Sequence, residues 1–220
     1  MNPLKLDHIA FWVAEREPIV ERCERFFGMH VIERQQHFTL LGTSARHGKL
    51  TFFDAEGPRV AGVLLEVGLR VTNLAAARDR LPAGMPDQIE LGEGIRIRLV
   101  AGPVEVEYDL DHVTLCASAP AATVDRYEEL GFRRLGPTRA QVGGAVLDVV
   151  EGFPEPGERP LLNHFGLLVA SAEAHRLEAE ALGLEIESTV EAANTRATFV
   201  WGPDRVRVEY VEHKPTFGLT

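Results

Sequence analysis

Leu6-Asp7-His8-Ile9-Ala10 returns 104 residues later as Leu110-Asp111-His112-Val113-Thr114. A looser copy is Leu162-Asn163-His164-Phe165-Gly166. A fourth is Leu64-Leu65-Glu66-Val67-Gly68, where Glu66 stands in the histidine's place and Gly68 matches Gly166. Internal repetition constrains an architecture before any element is assigned, because a small unit that cannot bury its own apolar face needs another copy to cover it. The segment ends echo as well. Gly102-Pro103 precedes Val106-Glu107-Tyr108, and Gly202-Pro203 precedes Val208-Glu209-Tyr210, the second tripeptide 102 residues after the first. The chain thus divides into four units starting near residues 5, 62, 110 and 161. Units one and two are expected to pair, as are units three and four, giving halves at 1–109 and 110–220.

Each unit reads as strand, helix, then three strands. In unit one, Ile9 to Val13 is a strand and Pro18 to Phe26 a helix, with Pro18 suited to a helix start and Gly28 to its stop. Unit two has Thr72 or Asn73 as a cap before Leu74 to Leu81. Unit three has Ala121 to Leu130 ended by Gly131, and unit four has Ser171 capping a helix that stops at Gly183. Runs such as Ile95-Arg96-Ile97-Arg98-Leu99 and Val206-Arg207-Val208-Glu209-Tyr210 alternate with period two, as half-buried strands require. The segment Glu151 to Pro160, rich in Pro and Gly, reads as an exposed connection.

Composition narrows the functions. The 220 residues carry 33 acidic side chains against 23 Lys+Arg, a net charge of −10, with 45% hydrophobic residues. Phosphate binding needs a basic surface, so nucleic acid is not the expected partner. No apolar stretch approaches the roughly 18 residues of a membrane span. The N-terminus reads as a strand and not as a secretory leader, and Cys23 and Cys116 sit in apolar periodic segments as core residues. The expected setting is therefore a reducing cytoplasm.

Four βαβββ units with His on the first strand and Glu on the last resemble the vicinal oxygen chelate superfamily, which includes glyoxalase I, type I extradiol dioxygenases and bleomycin-binding proteins. The resemblance covers almost the whole chain and is strongest to the four-unit extradiol dioxygenases. It implies an α+β fold in which βαβββ modules pair into two cupped-sheet domains, with the working site in the C-terminal pair. There it implies a metal held by His112, His164 and Glu209, two imidazoles and a carboxylate on one face. Such a facial triad leaves coordination positions open and suits Fe(II), with Mn(II), Zn(II) or Ni(II) as other occupants. Asp148 aligns with Glu209 and stands where glyoxalase-like members place a fourth ligand. The equivalent N-terminal residues His8, Glu66 and Glu107, with Thr51 at the remaining position, read as a vestigial site.

Period-two geometry adds Arg207 on the face of Glu209 and Thr114 on that of His112 as substrate-binding candidates, with Arg207 otherwise pairing Asp148 or facing water. Asn194, Arg196 and Thr198 alternate on a neighbouring strand, lining the cavity or facing solvent. His30, His37, His47, His175 and His213 read as surface residues, His213 being the one best able to reach a cavity mouth. The chain departs from the extradiol motif in three places, one being Arg205 where the motif has Gly or Pro two residues after Pro203. Val200 occupies the position of the family's Tyr, and no His lies five to seven residues before Phe199. Three functions follow: a dioxygenase-like metalloenzyme acting on a small catechol-like substrate with adjacent oxygens, a glyoxalase-like lyase or isomerase, and a binding protein without turnover. The partner in each case is a small molecule. Exposed sheet edges of the kind this superfamily uses in homo-oligomers are also expected.

Overall fold

The computed structural model describes residues 1–86 and 88–217. Module one comprises β1 (Lys5–Val13), α1 (Arg16–Phe27), β2 (His30–Arg34), β3 (Phe38–Gly42) and β4 (Lys49–Asp54). Module two has β5 (Leu64–Val71), α2 (Leu74–Arg78), β6 (Gln88–Gly92) and β7 (Ile95–Ala101), one strand fewer among the described residues. Module three has β8 (Asp109–Ala117), α3 (Pro120–Glu129), β9 (Arg133–Gly136), β10 (Arg139–Val142) and β11 (Ala145–Glu151). Module four has β12 (Leu162–Leu168), α4 (Ala172–Ala181), β13 (Ile186–Glu191), β14 (Thr195–Trp201) and β15 (Arg207–His213), with a short 3₁₀ turn at Pro203–Arg205 before its last strand.

The helix boundaries follow local signals. Gly28 ends α1 in the left-handed conformation, φ 63°, which costs glycine nothing. The side chains of Asn73 and Ser171 cap α2 and α4 by accepting from Ala76 N and Ala174 N. α2 is shorter than the expected Leu74–Leu81, and the chain turns through Pro82 after it.

The pairing of modules corrects the expected one. An eight-stranded sheet runs β13-β14-β15-β12-β1-β4-β3-β2, and a seven-stranded sheet runs β6-β7-β5-β8-β11-β10-β9. Module one therefore pairs with module four, and module two with module three. The seams are the antiparallel pairs β1·β12 and β5·β8. The halves 1–109 and 110–220 do not each close a sheet. All four first strands carry the same apolar alternation, so either pairing would bury them, and adjacency in sequence does not choose between the two. Both sheets and their helices share one continuous core, with Ile9, Phe11, Phe27, Phe52, Tyr127, Phe165 and Tyr210 among its buried side chains.

The second apparent repeat is also corrected. Gly102-Pro103 follows the last strand of module two, whereas Gly202-Pro203 precedes that of module four. Val106-Glu107-Tyr108 is thus irregular chain.

Candidate metal centre

The seam between β1 and β12 sets the site. His8 lies opposite Gly166, and Ala10 opposite His164. On the far side of β12, Glu209 of β15 pairs with the same Gly166. A side chain at Gly166 would occupy the place of the His8 ring: a Cβ there falls 2.2 Å from its Cε1. The missing side chain is what lets three functional groups meet.

His8 Nε2 lies 2.9 Å from His164 Nε2 and 3.0 Å from Glu209 Oε2, and His164 Nε2 lies 3.1 Å from that oxygen. These are the separations of three corners of one octahedral face around a cation with ligands at about 2.1 Å. The donor set fits a cation for a second reason. His164 Nδ1 lies 2.8 Å from Asn163 Oδ1, an oxygen that also accepts from Arg207 at 2.7 Å, so Nδ1 donates and neutral His164 turns a lone pair inward. His8 Nδ1 lies 2.9 Å from the carboxylate of Asp7, which fixes that ring in the same sense. Neutral imidazoles and Glu209 would then present three acceptors to one point.

Without a cation, a proton on His8 meets the need. Burial alone would lower its pKa, but hydrogen bonds to Asp7 and Glu209, and their charges, raise it to about 9. Burial holds His164 neutral by lowering its pKa to about 4, against the pull of Glu209. Burial would raise the pKa of Glu209, but His164 and His8 together hold it well below the usual range.

The triad lies in a cavity of about 300 Å³ whose walls include Phe38, Phe53, Phe199 and Phe217. Thr51 also lines it, at the position on β4 that Glu209 holds on β15, since Ala10 pairs with Thr51 as Gly166 pairs with Glu209. Beneath the triad, Asp7 is 2% exposed. It accepts from Lys49 at 2.7 Å, and His213 Nε2 lies 3.3 Å away. Burial would raise the Asp7 pKa, but Lys49 and the hydrogen bonds from His213 and His8 hold it well below the carboxylate range.

The residues expected to form the site divide between the two sheets. His164 and Glu209 are brought together as expected. His112 is not with them: it lies on β8 in the other sheet, and His8, expected in a vestigial site, takes the third place. Glu66 and His112 share the second cup, where Gly68 accommodates the His112 ring as Gly166 does that of His8. There Arg98 stands at the position equivalent to Glu209 and grips Glu66 with two bonds of 2.8 and 2.9 Å. Its guanidinium holds the Glu66 pKa down at about 2. A fixed cation thus fills the second cup.

Asp148 pairs with Arg139 at 2.5 Å and lies on β11 of the other sheet, outside the cluster of His8, His164 and Glu209. Glu107 is half-exposed and paired with Arg80. Thr114 faces Glu66 across β5·β8. Arg207 does not line the cavity. It holds Asn163 and Glu187 and stacks on Phe199 at 4.6 Å.

Val200 is in the core, and Phe199 lines the cavity in its stead. Of the neighbouring polar residues, Asn194 lines the cavity, Arg196 pairs with Glu191 and Glu212, and Thr198 donates to Ala172 O. His175 is buried against Tyr210, not at the surface. Both cysteines are buried and unbonded, as expected. Lys49 went unnoticed in the sequence. Only the β1·β4 register, which sets Lys49 directly opposite His8, brings it to the site.

The architecture is that of a paired-module protein with a histidine–carboxylate centre at the seam of one cupped sheet. No family model and no curated protein matches the chain. Among solved structures it is similar to a Bacillus subtilis protein described as a "putative dioxygenase", with a TM-score of 0.77 and 16% identity over 99% of this chain and 88% of that one. Glyoxalase I from Zea mays superposes with a TM-score of 0.68 and 16% identity over 94% and 92% of the two chains. The CppA protein from Streptococcus pneumoniae gives 0.64 and 14% over 96% and 99%. At such identities the likeness is one of fold: the chain shares the paired-module α+β architecture of these structures. Among the described residues no helix is long and apolar enough to cross a membrane.

Proposed function

We propose that this chain is a metal-dependent, dioxygenase-like enzyme of the vicinal oxygen chelate type. It holds one divalent cation, Fe(II) foremost, through His8, His164 and Glu209, and takes a small aromatic substrate with two adjacent oxygens. The observation that carries this is the meeting of two imidazole nitrogens and one carboxylate oxygen within 3.1 Å of one another in an aromatic-walled cavity. A bound divalent metal would supply a Lewis acid with open positions toward the cavity. The chain's own residues do the rest. Asp7 and Asn163 hold the two rings by their Nδ1 atoms. The phenylalanines offer faces and edges to an aromatic ring and keep water from it. One carboxylate against a divalent charge leaves a net positive site, which favours an anionic oxygen.

The glyoxalase-like lyase reading needs a second carboxylate to move a proton. Thr51 at the equivalent strand position supplies only a hydroxyl, so the dioxygenase-like reading is preferred. Metal analysis of purified protein with oxygen uptake on a catechol panel tests it. About one metal per chain with uptake on at least one catechol supports the proposal. Stoichiometric metal with no uptake across the panel refutes the dioxygenase branch in favour of lyase or binding roles. Absence of metal after reconstitution refutes all metal-dependent readings.

A further inference from the structure

A second cleft opens at the outer end of the β1·β12 seam, where β1 begins with Lys5 opposite Leu168. The loop between β3 and β4 and the chain leaving β15 form its sides, and its volume is about 620 Å³. None of the three triad residues lines it. His213 and Phe217 line both this cleft and the metal cavity, and their rings stack with centres 3.8 Å apart, so the stacked pair stands between the two spaces.

The cleft is basic in an acidic protein. The chain carries a net charge of −10, yet Lys5, Arg46 and Lys214 line the cleft against one acid, Glu212. Glu212 is committed elsewhere, accepting from Ala172 N at 3.1 Å and from Arg196 at 3.4 Å. Lys214 is matched by Glu191 at 2.6 Å. Lys5 and Arg46 have no ion pair among the described residues. By contrast, the exposed Arg126, Arg139, Arg196 and Arg205 each hold a carboxylate.

The loop that carries Arg46 is fixed in place. Thr43 Oγ1 donates to Tyr108 O at 2.6 Å, and Gly48 N donates to Asp109 Oδ1 at 2.9 Å. The Arg46 N–H donates to Ser44 Oγ at 3.2 Å, and the Arg46 carbonyl accepts from Lys5 Nζ. The backbone of Arg46 is therefore held on both sides, next to the Lys5 ammonium, and little freedom is lost there on binding. The remaining wall is apolar, with Leu4, Leu168, Val169, Pro215 and Phe217. Leu4 is 54% exposed, an apolar side chain left uncovered at the edge of the cleft.

Two cations without acidic partners beside an apolar wall suit a dianion with an apolar body. We propose that this cleft binds a small organic dianion of the phosphate monoester class. Arg46 takes the phosphate oxygens with its planar fork, Lys5 adds its ammonium, and the organic part lies on Leu4 and Phe217. The proposal does not rest on the metal reading of the neighbouring cavity.

Calorimetric titration of the full chain with phenyl phosphate, inorganic phosphate and phthalate tests it, on protein as purified and after treatment with a chelator. Phenyl phosphate is expected to bind with a Kd of about 1 mM or tighter, more tightly than inorganic phosphate and equally in both preparations. Arg46→Gln and Lys5→Gln are each expected to weaken it about tenfold or more, whereas Arg96→Gln, which removes the same charge from an exposed position on β7, leaves it unchanged. Tighter binding of phthalate than of phenyl phosphate overturns the phosphate class in favour of a dicarboxylate. No binding up to about 10 mM, equal affinity for phenyl and inorganic phosphate, or wild-type affinity in Arg46→Gln and Lys5→Gln overturns the site. Loss of binding on chelation also overturns it, by placing the anion on a metal, an outcome that leaves the metal reading standing.

Discussion

Substituting Gly166 by Ala tests the seam geometry with a built-in control. A methyl at Gly166 lies 2.2 Å from His8 Cε1 and 2.3 Å from its Nδ1, and one at Gly68 lies 2.1 Å from His112 Nδ1 and 2.3 Å from its Cε1. Ordinary contact begins near 3.4 Å. Each ring must therefore retreat by about 1 Å, at an overpacking cost of about 1–3 kcal/mol. The two variants should lose similar stability without metal, because the insult is the same in both sheets. They should differ with metal. Ligand distances tolerate only about 0.2 Å of error, so displacing His8 removes one of three ligands, whereas displacing His112 disturbs only the cup filled by Arg98. At a metal concentration of about 100 times Kd, binding adds about 2.7 kcal/mol to wild-type stability. Gly68→Ala should keep that increment and Gly166→Ala should lose it. Chemical denaturation with and without metal, alongside metal content, gives the answer. Full metal stabilisation in Gly166→Ala would refute the reasoning.

Four further outcomes follow from the same geometry. Metal must displace the proton that His8 holds with a pKa of about 9. Affinity should therefore rise about tenfold per pH unit up to that point, with close to one proton released per metal near pH 7, measurable by calorimetry in buffers of different ionisation heat. The metal-free chain should lose stability at both ends of the scale. The raised His8 pKa contributes stability below its ordinary value of about 6.5, which is lost as pH rises through 9. The lowered His164 pKa costs stability as pH falls from 6.5 toward 4. Lys49→Met leaves the buried Asp7 carboxylate with only its histidine partners, both side chains of the lost pair being 1% exposed, and should cost about 3–5 kcal/mol in urea unfolding; a loss under 1 would show that the histidines or a proton on Asp7 compensate. Asn163→Ala frees the His164 ring and should weaken metal binding about 10- to 100-fold in a competition titration, with little change if His164 is held by packing alone.

The modules, their helices and the histidines on first strands were legible in the sequence, because apolar period and capping residues are local signals. The Nδ1 contacts from Asp7, Asp111 and Asn163 to the histidines that follow them were not read from the sequence, because neighbouring side chains on a strand ordinarily point to opposite faces. Module pairing was not legible either, since it is decided by contacts between strands more than 150 residues apart, such as His8 with Gly166. That one ambiguity moved the third ligand from His8 to His112 in the sequence reading. Glu107 misled for another reason. Val-Glu-Tyr recurs by composition, whereas the true last strand of module two, Ile95–Ala101, places Arg98 where Glu209 stands. The arginine within that alternating run was the available sign that the second cup carries its own cation.

The central claim is that the metal site joins modules one and four. Comparing the metal content of His8→Ala with that of His112→Ala tests it most directly, because the two residues hold equivalent positions in the two sheets. The account predicts that His8→Ala loses its metal while His112→Ala retains about one per chain. Retention by His8→Ala together with loss by His112→Ala would contradict it.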